Sequence, residues 1–333
     1  MAGSIEGIDI HAHGVPPKFM EAVMKSRLAG VTVEGSKERY NLTFPGTSGP
    51  LRPIEGVMID YTERLKWMDG QNMRQQIIAP WLDIHGQELP AQDGQEWVRQ
   101  LNDAMADQVA GSGGRLLAYA TLHLADPKAA AKELERASSK LGMTGSMLPC
   151  SLPQGALSEA RYDALWEAAQ SLNLPIVFHP LMDGPSACMF GATPRFRNLY
   201  GRLIDSTVLA AQLIMAGVLD RYPKLKLVLV HGGGFLPYQT GRLDREFTGP
   251  TGLAASDYVK RFYYDTVLMS TPALRMLLEL VGTGQVMIGS DYAATSVERK
   301  APHLLEALDG TGIDPAGRKK VVRETAAEMF RIG

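Results

Sequence analysis

His11 and His13 stand one residue apart at the end of the first apolar run, IEGIDIHAH. In extended backbone, residues two apart point to the same side, so both imidazoles can face one ion. His179 closes a later apolar run (PIVFH), His231 another (LVLVH) and Asp291 a third (VMIGSD). Imidazole supplies a neutral lone pair, and a carboxylate offsets part of a cation's charge. Three imidazoles (His11, His13, His179) and Asp291 therefore suit one divalent ion, zinc before manganese. With one position left to water such a site is catalytic, because the ion brings the pKa of that water towards ~7. Singly these signals are weak. An HxH pair arises by chance, a strand-end His is commonly a hydrogen-bonded structural residue, and an Asp after a strand commonly caps a helix. Their recurrence at the ends of successive apolar runs is the specific feature.

Eight short runs must position these side chains: Ile5–Ile10, Gln75–Pro80, Leu116–Leu122, Met143–Leu148, Pro175–His179, Leu225–His231, Phe262–Val267 and Val286–Asp291. Most are continuously apolar rather than alternating, as strands buried on both faces are. Helical patterns separate most of them: Asp93–Ser112, Pro127–Leu141, Ser158–Leu172 with a Ser cap, Thr207–Leu219, and Pro272–Val281 with Gly282 as its C-cap. Strand–helix alternation implies a parallel sheet, and eight repeats favour an α/β fold of the (β/α)8 TIM-barrel type over an open doubly wound sheet. Candidate chemistry at C-terminal strand ends is where such barrels collect it. The stretch from Gly14 to Gly56 is rich in Gly, Pro and Ser, and is expected to be an insertion after strand 1 over the barrel mouth. With no repeat, linker or low-complexity tract, residues 1–333 are expected to form one domain.

The chain has 333 residues, 45% hydrophobic and 21% charged, with net charge -2, so it can bury a large core and has no basic face for nucleic acid. No run reaches the ~20 apolar residues of a membrane span, and the N-terminus lacks a signal-peptide pattern. Cys150 and Cys188 show no metal-finger spacing and read as reduced thiols of a cytoplasmic protein. The expected partner is a small molecule. The remaining histidines are read as structural: His85, close enough to the mouth to be a substrate-contact candidate; His123; and His303, in a solvent-facing helical segment. The fourth run, MTGSMLPCS, contains no lysine to bridge a second metal, so one ion is expected.

HAH, PIVFHP, LVLVHGGG, GRLDREF, YVKRFYYDTVL and VMIGSDY, in this order, resemble the amidohydrolase-superfamily branch typified by aminocarboxymuconate-semialdehyde decarboxylase. The resemblance runs from Ile8 to about Phe330 and is weakest in the N-terminal insertion. It implies metal ligation by His11, His13, His179 and Asp291, with His231 as general acid/base acting on the metal's water. It implies carboxylate-binding roles for Arg52 (GPLRPIEG) and Arg242 (TGRLDREF), the latter reaching a neighbouring subunit's site in a homodimer or higher homo-oligomer. From the residues alone, Arg52 is equally an exposed loop Arg, and Arg242 equally an ion-pair partner of Asp244 or Asp265. Gly232–Gly234 either let substrate approach the backbone or start the next helix. The chain departs from the branch at GSDYAATS, where a Pro often follows the Tyr, and in LMDGPSACMFGATPRFRNLYG with its Phe190, Phe196 and Tyr200. Both departures leave substrate and reaction open.

The expected function is a metal-dependent non-oxidative decarboxylase of an unsaturated or aromatic carboxylic acid from aromatic-compound breakdown. The alternative is a hydrolase or hydratase acting on a ring-cleavage product. A metal-bearing scaffold without activity is disfavoured by the joint presence of His231 and Asp291.

Overall fold

The computed structural model describes residues 6–47, 49–153, 155–191, 193–294 and 303–333. Ile5 of the first run, and Thr295 and Ser296 of GSDYAATS, lie outside them. Strand β1 (Gly7–Gly14) is followed by β2 (Thr32–Ser36), β3 (Arg39–Thr43), β4 (Ile54–Glu55), β5 (Met73–Pro80) and β6 (Leu116–Ala118). Then come β7 (Ser146–Pro149), β8 (Ile176–His179), β9 (Leu227–Leu229), β10 (Tyr263–Asp265) and β11 (Val286–Met287). They form a parallel sheet in the order β1-β5-β6, a parallel sheet in the order β11-β10-β9-β8-β7, and an antiparallel sheet β2-β3-β4. Each of the eight expected runs overlaps one of the parallel strands, though β1, β5 and β7 extend beyond theirs. Backbone contacts join the two parallel sheets at both edges. Ala12 bridges Tyr292 and Ala120 bridges Ser146, both in parallel sense, and the Ile10 amide donates to the Ile288 carbonyl at 2.9 Å.

Continuous apolar runs are explained by burial on both faces. Met147, Val177, Val228 and Met287 pack in one cluster with Ala326, Met329 and Phe330 of the C-terminal helix. Their neighbours Leu148, Ile176, Phe178 and Leu229 pack in the other, with Trp166 and Leu213 of the flanking helices. Burying one such side chain contributes roughly 1.5–3 kcal/mol, so the alternation of two cores along each strand holds its register.

The helices start and stop for local reasons. In Pro127–Leu141, Asp126 accepts from the Lys128 and Ala129 amides, Pro127 stands where no amide is needed, and Gly142 leaves at φ 68°. Thr271–Val281 is capped by Ser270, with Gly282 at φ 87° beyond it. Several expected boundaries are corrected. The α-helix expected from Ser158 begins at Asp163 after a short 3-10 turn, so Ser158 caps nothing. The helix expected from Thr207 begins at Arg202 and stops at Met215. His303 is not helical: it is half-buried, and its Nδ1 accepts from the Leu305 amide at 3.3 Å. The 14–56 stretch is more ordered than its composition suggests, holding the helix Pro17–Ser26 and the antiparallel sheet. Phe19, Met20, Val33, Tyr40 and Leu42 from that stretch are buried. No helix among the described residues is long and apolar enough to cross a membrane.

Candidate metal centre

Strand β1 does not stop before the histidine pair but runs through it. Its register against β5 shifts between Asp9 and Ala12, the kind of irregularity that re-aims side chains. The His11 and His13 rings lie 5.2 Å apart and near perpendicular, and the His179 ring is 5.0 and 4.8 Å from them. One donor atom from each of His11, His13, His179 and Asp291 lies within 4.8 Å of the others, all four residues being buried. Asp291 Oδ1 is 3.4 Å from His11 Nε2 and 3.2 Å from His13 Nε2. His11 Nε2 and His179 Nε2 are buried without a hydrogen-bond partner. Such an orphaned atom costs roughly 1–3 kcal/mol. A cation would satisfy both at once, and three imidazoles with one carboxylate are the donors a borderline divalent ion takes. The group fits one metal ion.

The outward nitrogens are fixed by neighbours. His11 Nδ1 lies 2.6 Å from Asp265 Oδ2, while Asp265 Oδ1 accepts from the amides of Gly232 at 2.9 Å and Val267 at 3.1 Å. His179 Nδ1 donates to the Pro180 carbonyl at 2.8 Å. Both rings are thereby turned with Nε2 towards the group, as orienting partners of ligand histidines do. Asp265 was missed as a site residue. It lies inside the run Phe262–Val267 rather than at its end, and only the folded strand Tyr263–Asp265 brings it to a strand end. Asp9 was also missed. Fully buried, it accepts from Ser290 Oγ at 2.5 Å, Gln76 Nε2 at 2.7 Å, and the Ser290 and His11 amides at 3.0 and 3.1 Å. Arg64, also fully buried, donates to Gln76 Oε1 at 2.8 Å and to the His13 carbonyl. These bonds tie the histidine pair to the backbone that presents Asp291.

Burial and mutual charge set the titration. Burial pushes His13 down to about 4 against the pull of Asp291, and pushes His179 well below its ordinary value with help from the surrounding imidazoles. Burial also opposes charge on His11, but the Asp265 hydrogen bond and the field of Asp291 outweigh it and raise the pKa. For Asp291 burial favours the neutral form, and the charge of His11 with hydrogen bonds from His13 and His231 overcomes it, holding the carboxyl well below its usual range.

His231 and Asp291 both adopt φ 54°, a left-handed conformation uncommon for residues with side chains. His231 Nε2 is 3.7 Å from Asp291 Oδ2, and its ring lies 5.2 and 5.0 Å from those of His11 and His179. The glycines after it lie in a tight turn that begins with the short 3-10 segment His231–Gly233. All three have positive φ, and a Cβ at Gly233 would lie 2.6 Å from the Tyr264 ring, one at Gly234 2.3 Å from the Leu203 carbonyl. They are needed for a turn packed tightly on its neighbours.

Arg52 is an exposed loop residue, as its sequence context allows, but it makes defined contacts. Its Cζ lies 4.3 Å from the Trp81 ring centroid, its Nη2 is 3.5 Å from Asp83 Oδ2, and Trp81 packs edge-on to His13 at 5.0 Å. Arg242 is exposed on the helix Thr240–Glu246, and neither Asp244 nor Asp265 pairs with it among the described residues: Asp244 takes the Ser256 amide and Asp265 takes His11. His85 and His123 are buried, with Nε2 at 3.0 and 3.1 Å from the Pro80 and Leu89 carbonyls, as structural histidines are. Arg202, unremarked in the sequence, is buried near the group. Phe190, Phe196 and Tyr200 form a ring cluster with centroids 5.8–6.4 Å apart, Phe196 and Tyr200 being partly exposed.

Residues 8–332 match the amidohydrolase family model. The chain is 28% identical over 262 residues to the gamma-resorcylate decarboxylase of Polaromonas sp. (strain JS666 / ATCC BAA-500), covering 71% of this chain and 77% of that one. It is 24% identical over 311 residues to the 2-amino-3-carboxymuconate-6-semialdehyde decarboxylase of Dictyostelium discoideum, covering 90% and 85%. Its fold is similar to that of a dihydroxybenzoic acid decarboxylase from Polaromonas sp. JS666, solved with manganese and the inhibitor 2-nitroresorcinol (TM-score 0.80, 23% identity, 98% and 97% coverage).

Two outcomes are expected. Asp265→Asn should weaken zinc or manganese binding by roughly 10–100-fold in a calorimetric titration, because His11 loses its orienting carboxylate. The metal-free protein should gain stability as pH rises from about 4 towards 6.5. In that window the unfolded chain protonates His13, His85 and His179 while the folded protein resists, with His13 and His85 held down at about 4. At these histidines the unfolded state binds more protons, so their contribution climbs with pH and outweighs the opposite one of Asp9, whose burial raises its pKa. His11, raised, contributes with the opposite sign only above about 6.5, its unfolded value. Urea titrations at pH 4.5, 5.5 and 6.5 read this; a flat or falling series would remove the account.

Proposed function

The chain belongs to the amidohydrolase family, and on that footing we propose that it is a metal-dependent non-oxidative decarboxylase of an aromatic or unsaturated carboxylic acid. The observation that carries this is four buried donor atoms within 4.8 Å of one another with His231 beside them, in a chain whose relatives are named as decarboxylases of such acids. The edge contacts between the two parallel sheets support a closed (β/α)8 barrel in a single domain, with 14–56 inserted over its mouth. We read the centre as holding zinc, with manganese the alternative raised by the similar decarboxylase solved with that ion.

His11, His13, His179 and Asp291 would hold the ion, which supplies positive charge to polarise and orient the substrate's oxygens. His231, next to Asp291, delivers a proton to the carbon bearing the carboxylate. The C–COO bond then breaks, its electron pair restores the conjugated system, and CO2 leaves. The sum is one acid anion and one proton giving one neutral carbon centre and CO2. Arg52, stacked on Trp81 beside His13, holds a substrate carboxylate with its planar fork. Arg242, exposed and without a described carboxylate partner in its own chain, is read as serving the site of a second copy in a homodimer. The free thiols Cys150 and Cys188 are in keeping with a cytoplasmic location.

The metal-loaded protein incubated with resorcylate, carboxyvanillate and muconate-type acids should release CO2. Consumption of an acid to an organic product without CO2 would instead indicate the hydrolase or hydratase. His231→Asn should lower turnover by roughly 10²–10⁴-fold with metal content unchanged. Mixing inactive Arg242→Ala with inactive His231→Ala protein should restore part of the activity; no recovery, with subunit exchange demonstrated, would remove the shared site.

A further inference from the structure

Two of the three histidines in the metal group have a polar neighbour on the far ring nitrogen. Asp265 takes His11 Nδ1 at 2.6 Å, and the Pro180 carbonyl takes His179 Nδ1 at 2.8 Å. His13 differs: both of its ring nitrogens are buried without a hydrogen-bond partner. Its Nε2 lies 3.2 Å from Asp291 Oδ1, so Nε2 is the nitrogen turned towards the group and Nδ1 is the one left over. A ligand histidine with no acceptor on its far nitrogen is unusual. The torsion that swings an imidazole about its Cβ–Cγ bond is broad. Something other than a hydrogen bond must keep this ring from turning.

Trp81 stands in that place. It follows β5, where Ala79 pairs with His13 and Pro80 with Gly14, and its own amide donates to the Gly14 carbonyl at 3.0 Å. The backbone register therefore sets the indole beside the imidazole. The two rings are near perpendicular, at 86°, with centroids 5.0 Å apart. Perpendicular contact at that distance is a favoured aromatic geometry. Trp81 is 1% exposed, and its Nε1 is buried without a partner. The indole of Trp97, by contrast, donates to the Ile84 carbonyl at 2.8 Å. Trp81 thus acts through its ring surface and not through its donor. Arg52 covers that ring, with Cζ 4.3 Å from the centroid, and Arg52 Nη2 is 3.5 Å from Asp83 Oδ2. Asp83 lies in the 3-10 turn Leu82–Ile84 directly after Trp81. The cover over the indole is therefore anchored to the same short segment that carries it.

We propose that Trp81 is the positioning residue of His13. By packing, it does for this ring what Asp265 and the Pro180 carbonyl do by hydrogen bonds for the other two. The proposal rests on the metal-binding reading of the group and on no step of the decarboxylation. A ring held by shape alone is free to turn once its neighbour is gone, and Nε2 then leaves the direction in which it can meet an ion.

The test is calorimetric titration of the metal-free protein with zinc, with melting temperature followed alongside. Trp81→Leu keeps an apolar side chain without a ring and should bind zinc roughly 10–100-fold more weakly, as on loss of an orienting neighbour. Trp81→Phe keeps a ring and should stay within about threefold of the native affinity. A buried tryptophan also fills the core, so melting temperature should fall in both variants. The separation of leucine from phenylalanine in zinc affinity is what a purely structural role would not produce. If Trp81→Leu does not fold, Arg52→Met, at an exposed side chain, uncovers the indole and should weaken zinc binding severalfold, the size of one cation–π contact. Native zinc affinity in folded Trp81→Leu, or in Arg52→Met where the leucine variant does not fold, overturns the proposal. A native protein that takes up neither zinc nor manganese would remove the metal reading and this role with it. Weakened zinc binding in Trp81→Leu, with no CO2 from any acid in the native protein, would support Trp81 and sink the decarboxylase.

Discussion

Three imidazoles and a carboxylate held together out of water constrain everything else in this molecule. Desolvation works against charge on each of them, and their lone pairs converge with few donors to meet them. That arrangement is tolerable only if each ring is prevented from turning away. Asp265 and the Pro180 carbonyl do this for His11 and His179. Asp9 and Arg64 do it indirectly by holding the backbone of β1 against Ser290 and β5. The left-handed φ of His231 and Asp291 belongs to the same bargain, since unfavourable backbone persists where packing over-determines it.

Parallel strands explain how residues so far apart in the chain meet. Each strand points the same way, so their C-terminal ends open on one side. His179 and Asp265 end their strands, while His231 and Asp291 follow theirs by a few residues. Contacts spanning 281 positions, such as Asp9 to Ser290, draw the first strand to the last. The apolar residues beneath, from Val177 to Met287, fill the space with side chains and leave the polar groups at the end as the place where a ligand can act.

Around this centre the cations are unevenly matched. Arg64 donates both Nη groups to neutral acceptors and lies against two tyrosine rings, with its Nε left unpartnered. Arg52 is half-committed to Trp81 and Asp83. Arg202 is buried with little to hold, and Arg242 stands in solvent. That gradation, more than their number, separates arginines tied into the fold from arginines with donors to spare.

From the sequence alone came the approximate positions of the eight parallel strands, the one-metal donor set as an expectation, and a resemblance to the family that the family model bears out. Those properties are carried by local patterns: apolar runs of strand length, and a histidine or aspartate recurring where each run ends. Only the tertiary structure decided which neighbours serve those ligands. Asp265 and Asp9 look like any other aspartate in FYYD or GIDI until folding sets one against His11 and the other against Ser290. The ordered sheet within 14–56 was hidden by its glycines and prolines, because β2, β3 and β4 are short and are stabilised by pairing with each other rather than by a periodic pattern. Arg202 carried no signal, since a charged residue opening a helix is ordinarily exposed. Its burial beside a metal group is a matter of long-range packing, which no local pattern encodes.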